Sequence, residues 1–394
     1  MITVEPLAPV YMNGCIVSRA KVTNHSRGNL IEMGFPARAE HLLSMDRADC
    51  WLLAMLVPAM EQGAPLHIEA PVSERLLVSL NKQVVPLLSE FNEAWNPIRV
   101  TAAAHARPIT RDNRVAATGF SGGVDSFVTV SEYLSKEVSE GFKLDLLLFS
   151  STGQFGSNAG WFENDREIAI RSSRPFGLDL VDVTTNLDDF FVTSFAYSHT
   201  IRNLCVPLAM QAGIHTYLYS SGVPYRDVSL NADYVTYIDG ILVPLLSTES
   251  ILFWSAGGEY TRTAKTELLV EVPETYSGLY VCLRGYERHN KLNCSACSKC
   301  LRTMMTLDIL GALERYSDVF DLDAFGSRRR LYMLGLSSSR RNFSVDILTL
   351  AARRGVVIPW TSRVLAFVIR TVRDLSPAWL RWRLYKRFPK IFVR

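Results

Sequence analysis

From residue 111 to about 250 the chain alternates short apolar runs with amphipathic stretches. "RVAATGFS", "LDLLLFSST", "LDLVDVTT" and "IHTYLYSSG" read as buried strands, and "DSFVTVSEYLSKEV", "WFENDREIAIRSS" and "IRNLCVPLAMQAG" repeat apolar residues at helical spacing. This alternation predicts an α/β fold with a doubly wound parallel sheet, which binds ligands beyond the carboxyl ends of its strands. Residues 1–110 form a first α+β unit, a packing or recognition domain. "GCIVSRAKVT", "NLIEMGF" and "PIRVTAA" are its strands; "DRADCWLLAMLVPAMEQG" is a helix starting at an acidic cap, and "LHIEAPVSERLLVSLNKQVVPLLSEF" is a strand, a Ser73 cap and a helix. Further on, "LRTMMTLDILGALERY" is helical, as is the remainder of the chain. The expected boundaries are 1–110, 111–275, 276–312 around a cysteine cluster, and a basic helical region 313–394.

Composition narrows the class. With 394 residues, 48% apolar and 21% charged, the chain has material for two or three packed domains and no sign of disorder. No basic segment followed by an apolar run opens the chain, and runs such as "VLAFVI" are too short to cross a bilayer, so a cytoplasmic protein without transmembrane segments is expected. There the seven cysteines should be reduced, favouring a metal site or buried thiols over disulfides. The net charge of +3 hides an asymmetry, because residues 328–394 hold 16 Lys and Arg against Asp346 and Asp374. The tail "WLRWRLYKRFPKIFVR" suits nucleic acid, an anionic membrane surface, or a solvated face packed on the protein's own acidic body.

Two motifs carry chemistry. In "VAATGFSGGVDSFVTVSEYL" a strand hands over to a helix through Ser121, Gly122, Gly123, Val124, Asp125 and Ser126. Glycines let backbone amides approach a ligand, the helix N-terminus favours phosphate, and the serines add hydroxyls. A carboxylate beside phosphate is repulsive unless a cation intervenes or it caps the helix, so Asp125 calls for magnesium or a cap. The lysine of the γ-phosphate-transferring loop is missing. The second motif is Cys294, Cys297 and Cys300 at C-x2-C-x2-C spacing with Cys282 upstream, a four-thiolate set suited to structural zinc, with an iron–sulfur cluster or unligated thiols as alternatives. Lys299 and Arg302 would offset the thiolate charge, while Cys15, Cys50 and Cys205 read as core residues.

The S-G-G-x-D-S loop resembles that of the PP-loop, or N-type, ATP pyrophosphatases, of the adenine nucleotide alpha hydrolase-like fold, which cleave ATP between the α and β phosphates. With the four cysteines ending in "CLRT", Arg202–Asn203 at a helix head and Lys265-x-Glu267, residues 115–310 resemble the 7-cyano-7-deazaguanine synthases of queuosine biosynthesis. That resemblance implies ATP-dependent adenylation of a carboxylate, a deazaguanine carboxylate in the family, followed by transfer to ammonia or an amine. The loop, Ser121 and Ser126 would hold pyrophosphate, Arg202 could reach phosphate, and Asp125 would bind magnesium or cap its helix. Arg262 and Lys265 would stabilise the charge that develops at the α-phosphorus.

Tyr225, Arg226 and Asp227, in a loop after a strand, are candidate substrate contacts, while His199 and His215 read as structural. The long N-terminal extension is similar to that of relatives in bacterial antiphage operons, thought to join a deazapurine to a protein, so the amine could belong to a protein. The chain departs from the synthases elsewhere: their tyrosine-proline-aspartate-cysteine segment has no counterpart, and Gly153–Gln154 is followed by no arginine or histidine. A tRNA-modifying thiolase and a non-catalytic nucleotide-sensing scaffold are the competing readings.

Overall fold

A computed structural model describes residues 1–154, 159–230, 234–283, 291–339 and 341–356, with residues 364 and 371. The chain divides into two compact units, residues 1–121 with 128–259, and residues 122–127 with 260–394.

The first unit is built on a ten-stranded sheet of β1 (Ile2–Met12), β2 (Cys15–Thr23), β3 (Leu30–Pro36), β4 (Leu66–Val72), β5 (Val100–His105), β6 (Val115–Gly119), β7 (Leu144–Ser151), β8 (Asp179–Thr185), β9 (Ile214–Ser220) and β10 (Leu252–Ala256). Their order across the sheet is β10-β9-β6-β7-β8-β3-β2-β1-β4-β5. The strands from β10 to β8 run parallel to their neighbours, as the alternation predicts. Along the chain the order moves outward from β6 through β7 and β8, then returns to the other side of β6 for β9 and β10. The reversal at β6 puts the carboxyl end of that strand, where Ser121 follows, at the position where open α/β sheets bind ligands.

The N-terminal segment is not separate from this sheet. β3 pairs antiparallel with β8 through Met33 opposite Thr185 and Gly34 opposite Thr184, so the boundary expected near residue 110 lies inside one unit. The approach at Gly34 is close, and a Cβ there would stand 2.7 Å from the Thr184 hydroxyl, which would have to move. β1 and β10 escape the pattern reading. Two prolines interrupt β1, and the ladder to β2 shifts register between Leu7 and Val10, around Pro9. The signal that could have revealed it is Asn13–Gly14, whose φ angles of 51° and 74° suit the tight turn joining β1 to β2.

Burial accounts for the helices. The amphipathic stretch after residue 46 forms two helices, Asp49–Ala54 and Leu56–Gln62, with Trp51, Leu52, Leu53, Leu56, Val57 and Met60 all buried. No side chain caps the first; Asp49 is instead buried and accepts hydrogen bonds from the Ser73 amide and Gln211 Nε2, both at 2.7 Å. Burial pushes its carboxyl up to about 6 against those bonds. Ser73 does cap its helix, accepting from Leu76 N at 3.0 Å.

The second unit holds the helices Arg262–Leu269, Ser298–Ile309, Leu322–Ser338 and Asn342–Arg353, around buried Leu269, Leu301, Met304, Tyr316, Phe320 and Ile347. The expected boundaries at 275 and 312 fall within it. Part of the basic region is consumed internally, since Arg329 pairs with Asp308 at 2.6 Å and Arg353 and Arg354 both pair with Glu267. The tail after residue 371 lies outside the described residues.

Asp239, buried in the first unit, gives a test of stability. Burial pushes its carboxyl up to about 7, against hydrogen bonds from Thr200, whose hydroxyl donates at 2.6 Å, and Thr236. The folded chain therefore keeps a proton that the unfolded chain releases near pH 4, so stability falls as pH rises through that window, by a few kcal/mol at most. Asp239→Asn should remove this dependence, its melting temperature gaining on the wild type between pH 5 and pH 8; a constant difference across that range would contradict the assignment.

Candidate functional site

The chain leaves β6 and turns through residues 120–123 into the helix Val124–Tyr133. Gly122 adopts a φ of 71°, a left-handed conformation that glycine enters without the Cβ penalty. Its carbonyl accepts from the Tyr280 amide at 2.7 Å. Gly123 closes the first helical turn by accepting from the Phe127 amide and the Ser126 hydroxyl, both at 3.0 Å. Ser121 is exposed at the end of the first unit, whereas Gly122, Val124 and Ser126 are buried.

Asp125 is the organising group. Arg262 Nη2 lies 2.7 Å from its Oδ2, and Lys265 Nζ lies 3.1 Å from its Oδ1 and donates to it. Lys265 is 140 residues away in sequence and its side chain is 2% exposed, so a distant helix brings its ammonium under cover to meet this carboxylate. Thr261 starts that helix, its hydroxyl accepting from Ala264 N at 3.1 Å, and Arg262 and Lys265 follow three residues apart on one face. Burial alone would raise the Asp125 carboxyl, but Arg262, then Lys265 and Lys299, outweigh it and hold the group below its ordinary value. The cation that Asp125 calls for is thus supplied by the chain itself. Since each carboxylate oxygen already faces a cationic side chain, the residues do not fit the role of magnesium ligand expected for Asp125.

The four cysteines meet. The sulfurs of Cys282, Cys294, Cys297 and Cys300 lie within 4.8 Å of one another, a set that could hold a metal ion. Cys294 and Cys300 are 3.8 Å apart and Cys297 and Cys300 3.4 Å, near the edge of about 3.8 Å that four sulfurs around zinc would have. Amides already point at sulfur, Cys294 N to Cys282 at 3.4 Å and Cys297 N to Cys294 at 3.3 Å. Hydrogen bonds with Cys282 and then Cys300 hold the Cys297 thiol far below its usual range, which favours a thiolate in the cluster. Cys297 also stands at the start of the helix Ser298–Ile309, whose Lys299 and Arg302 interact electrostatically with Asp125 and Arg262. Desolvation of the charged group and then the charge of Arg262 lower both, Arg302 to about 10, although Lys299 keeps part of its surface exposed. Sequence reasoning pointed these two residues at the thiolates and missed their second neighbour.

Other candidates find different surroundings. The Arg202 side chain is fully buried, pairs with Asp188, and donates to Ser198 Oγ at 2.8 Å and Thr193 O at 2.9 Å, with its guanidinium 3.8 Å from the Phe191 ring centre. Its donors serve the fold of the first unit, so the expected phosphate contact is withdrawn. Tyr225–Asp227 forms a single turn beyond the carboxyl end of β9. The Tyr225 amide donates to Gly258 O at 2.7 Å, its ring is half exposed, and Arg226 lies 3.7 Å from Asp227. His199 hydrogen-bonds with the Tyr219 hydroxyl at 3.1 Å and His215 with that of Thr216 at 2.8 Å, so both have structural partners.

No protein-family model matches this chain, and no curated protein or solved structure does either.

Removing the organising carboxylate should be costly, because Arg262 and Lys265 would lose the negative charge that both face. Asp125→Ala is expected to destabilise the protein by about 2–4 kcal/mol, and tens of millimolar sulfate should restore much of the loss by replacing the missing negative charge. An unchanged melting temperature, or a loss indifferent to sulfate, would show that the cluster is not an anion-seeking one.

Proposed function

We propose that this protein is an ATP-dependent enzyme that activates a carboxylate by adenylation, releases pyrophosphate, and passes the acyl group to ammonia or an amine. The observation that carries the reading is the pairing of Asp125 with Arg262 and Lys265 at the first turn of a helix that follows a glycine loop. Loop amides of residues 122–126, with Ser121 and Ser126, would cradle the departing pyrophosphate. Arg262 and Lys265, held in place by Asp125, would face the negative charge that develops at the α-phosphorus. Carboxylate activation needs no protein nucleophile. Cys50 and Cys205, both pushed above the usual thiol range by burial, are poorly suited to the redox chemistry of a thiolase.

Zinc would be held by Cys282, Cys294, Cys297 and Cys300, and as a closed four-thiolate site would contribute folding energy rather than chemistry. Tyr225, Arg226 and Asp227 are the candidate acid-binding residues, beyond the end of a sheet strand. The deazaguanine carboxylates of the synthases that residues 115–310 resemble are the first acids to supply, with ammonia or a protein amine as acceptor. A defence role, as in the antiphage operons, would follow from a protein acceptor.

Pyrophosphate release measured with ATP, magnesium and a panel of carboxylates tests the reaction. Lys265→Met should lower the rate about 10²- to 10³-fold, and Ser121→Ala should lower it as well; variants that release pyrophosphate like the wild type would overturn the loop assignment. Elemental analysis should find one zinc per chain, and stripping it should lower the melting temperature; a metal-free chain that melts like the loaded one would overturn the structural role.

A further inference from the structure

Two sets of contacts join the four-cysteine centre to the glycine loop within the second unit. The first is made by backbone. Tyr280, whose amide donates to the Gly122 carbonyl at 2.7 Å, stands two residues before Cys282. Asn293, 1% exposed and immediately before Cys294, locks that arm in place: its Oδ1 accepts from Val281 N at 2.8 Å, and its Nδ2 donates to Leu279 O at 2.8 Å and Val319 O at 3.1 Å. Residues 279–282 and 293–294 are thus one stitched pair of segments, with cysteine sulfurs at one end and the loop carbonyl at the other.

The second set is charge. Cys297 and Cys300 flank the start of the helix Ser298–Ile309, which packs against the helix Arg262–Leu269. Lys299 and Arg302, three residues apart, share a face of it and interact with both Arg262 and Asp125. Lys299 is exposed enough to meet a ligand, and Arg302 lies 5.0 Å over the Phe343 ring, which limits where its guanidinium can go. Arg262 and Lys265 pair with Asp125, and the helix packed against theirs adds Lys299 and Arg302, a concentration of positive charge that favours a multiply charged anion.

We propose that Lys299 and Arg302 bind the same polyphosphate as the glycine loop, and that the four-cysteine centre sets the shape of that loop through Tyr280. This inference rests on the phosphate-binding reading above and adds to it two ligand contacts and a positioning amide. A metal in the centre would fix both arms and the start of the helix that carries the two cations.

The experiment uses the full metal-loaded chain and inorganic pyrophosphate, with binding measured by calorimetry and zinc content measured alongside. Lys299→Met and Arg302→Met should each weaken pyrophosphate binding about tenfold or more, with zinc content unchanged. Arg315→Met removes a positive charge from the same unit, at a residue that packs on Tyr276, and should leave binding as it was. Wild-type affinity in either of the first two variants, or an equal loss in the third, overturns the contact assignment.

Tyr280→Pro removes the amide donor together with the buried ring, so Tyr280→Ala, which loses the ring and keeps the amide, is its control. The proline variant should speed hydrogen exchange across residues 122–127 beyond the alanine one, with zinc retained in both. Should that variant fold poorly, exchange in the wild type with and without metal reads the same coupling; a loop that exchanges identically in both states overturns it. Pyrophosphate binding that depends on Lys299 and Arg302 without any ATP-driven pyrophosphate release supports this inference and sinks the proposed reaction. A wild type that binds neither pyrophosphate nor ATP overturns both.

Discussion

A carboxylate at the first turn of a helix, mostly covered by protein, cannot remain charged without partners close by. Asp125 obtains two, Arg262 and Lys265, from a helix far along the chain. The arrangement constrains the second unit strongly, because a lysine ammonium with 2% side-chain exposure is costly unless it faces a negative group at hydrogen-bonding distance. The glycine loop, the cation-bearing helix and the helix from Cys297 are ordered around this carboxylate. Glu267, two residues after Lys265 on the same helix, extends the same logic outward by collecting Arg353 and Arg354.

Among the described residues, the charges around that carboxylate do not cancel. Lys299 and Arg302 add two cations to the pair already neutralising Asp125, and desolvation of their charged groups, then the charge of Arg262, makes each less willing to hold its proton, although Lys299 keeps part of its surface exposed. The lowered thiol of Cys297, in the four-cysteine centre, offsets part of this excess from one side. A polyanionic ligand would offset it from the other, which is why a loop built from backbone amides and a cluster built from side chains support a common reading.

The large sheet contributes position. β6 lies where the strand order reverses, between β7 and β9, and the parallel strands end together on the side where Ser121 and the Tyr225 turn follow their strands. The N-terminal strands join the same sheet through β3 and β8, so the first 110 residues widen the scaffold rather than form a separate module. Arg202 shows how the scaffold absorbs residues with functional promise. A guanidinium wrapped by Asp188, Ser198, Thr193 and the Phe191 ring satisfies its own burial and has nothing left for a phosphate.

Much of this was legible in the residue order. Alternating apolar runs mark β6 to β9, because a strand buried on both faces must be apolar throughout; Ser73 announces its helix, and the cysteine spacing announces a common centre, since two-residue gaps turn thiols toward one point. β1 was hidden by its prolines, and the continuity of the sheet across residue 110 by the fact that pairing between β3 and β8 leaves no local trace. The sequence by itself determined the glycine loop, the four cysteines that could hold a metal and the candidacy of Arg262 and Lys265. Tertiary structure decided their partners: Asp125 facing side-chain cations, Arg202 turned inward, and Tyr280 tied to Gly122. Spacing reports which residues share a turn or a face, whereas contacts between residues 140 apart depend on how whole elements pack.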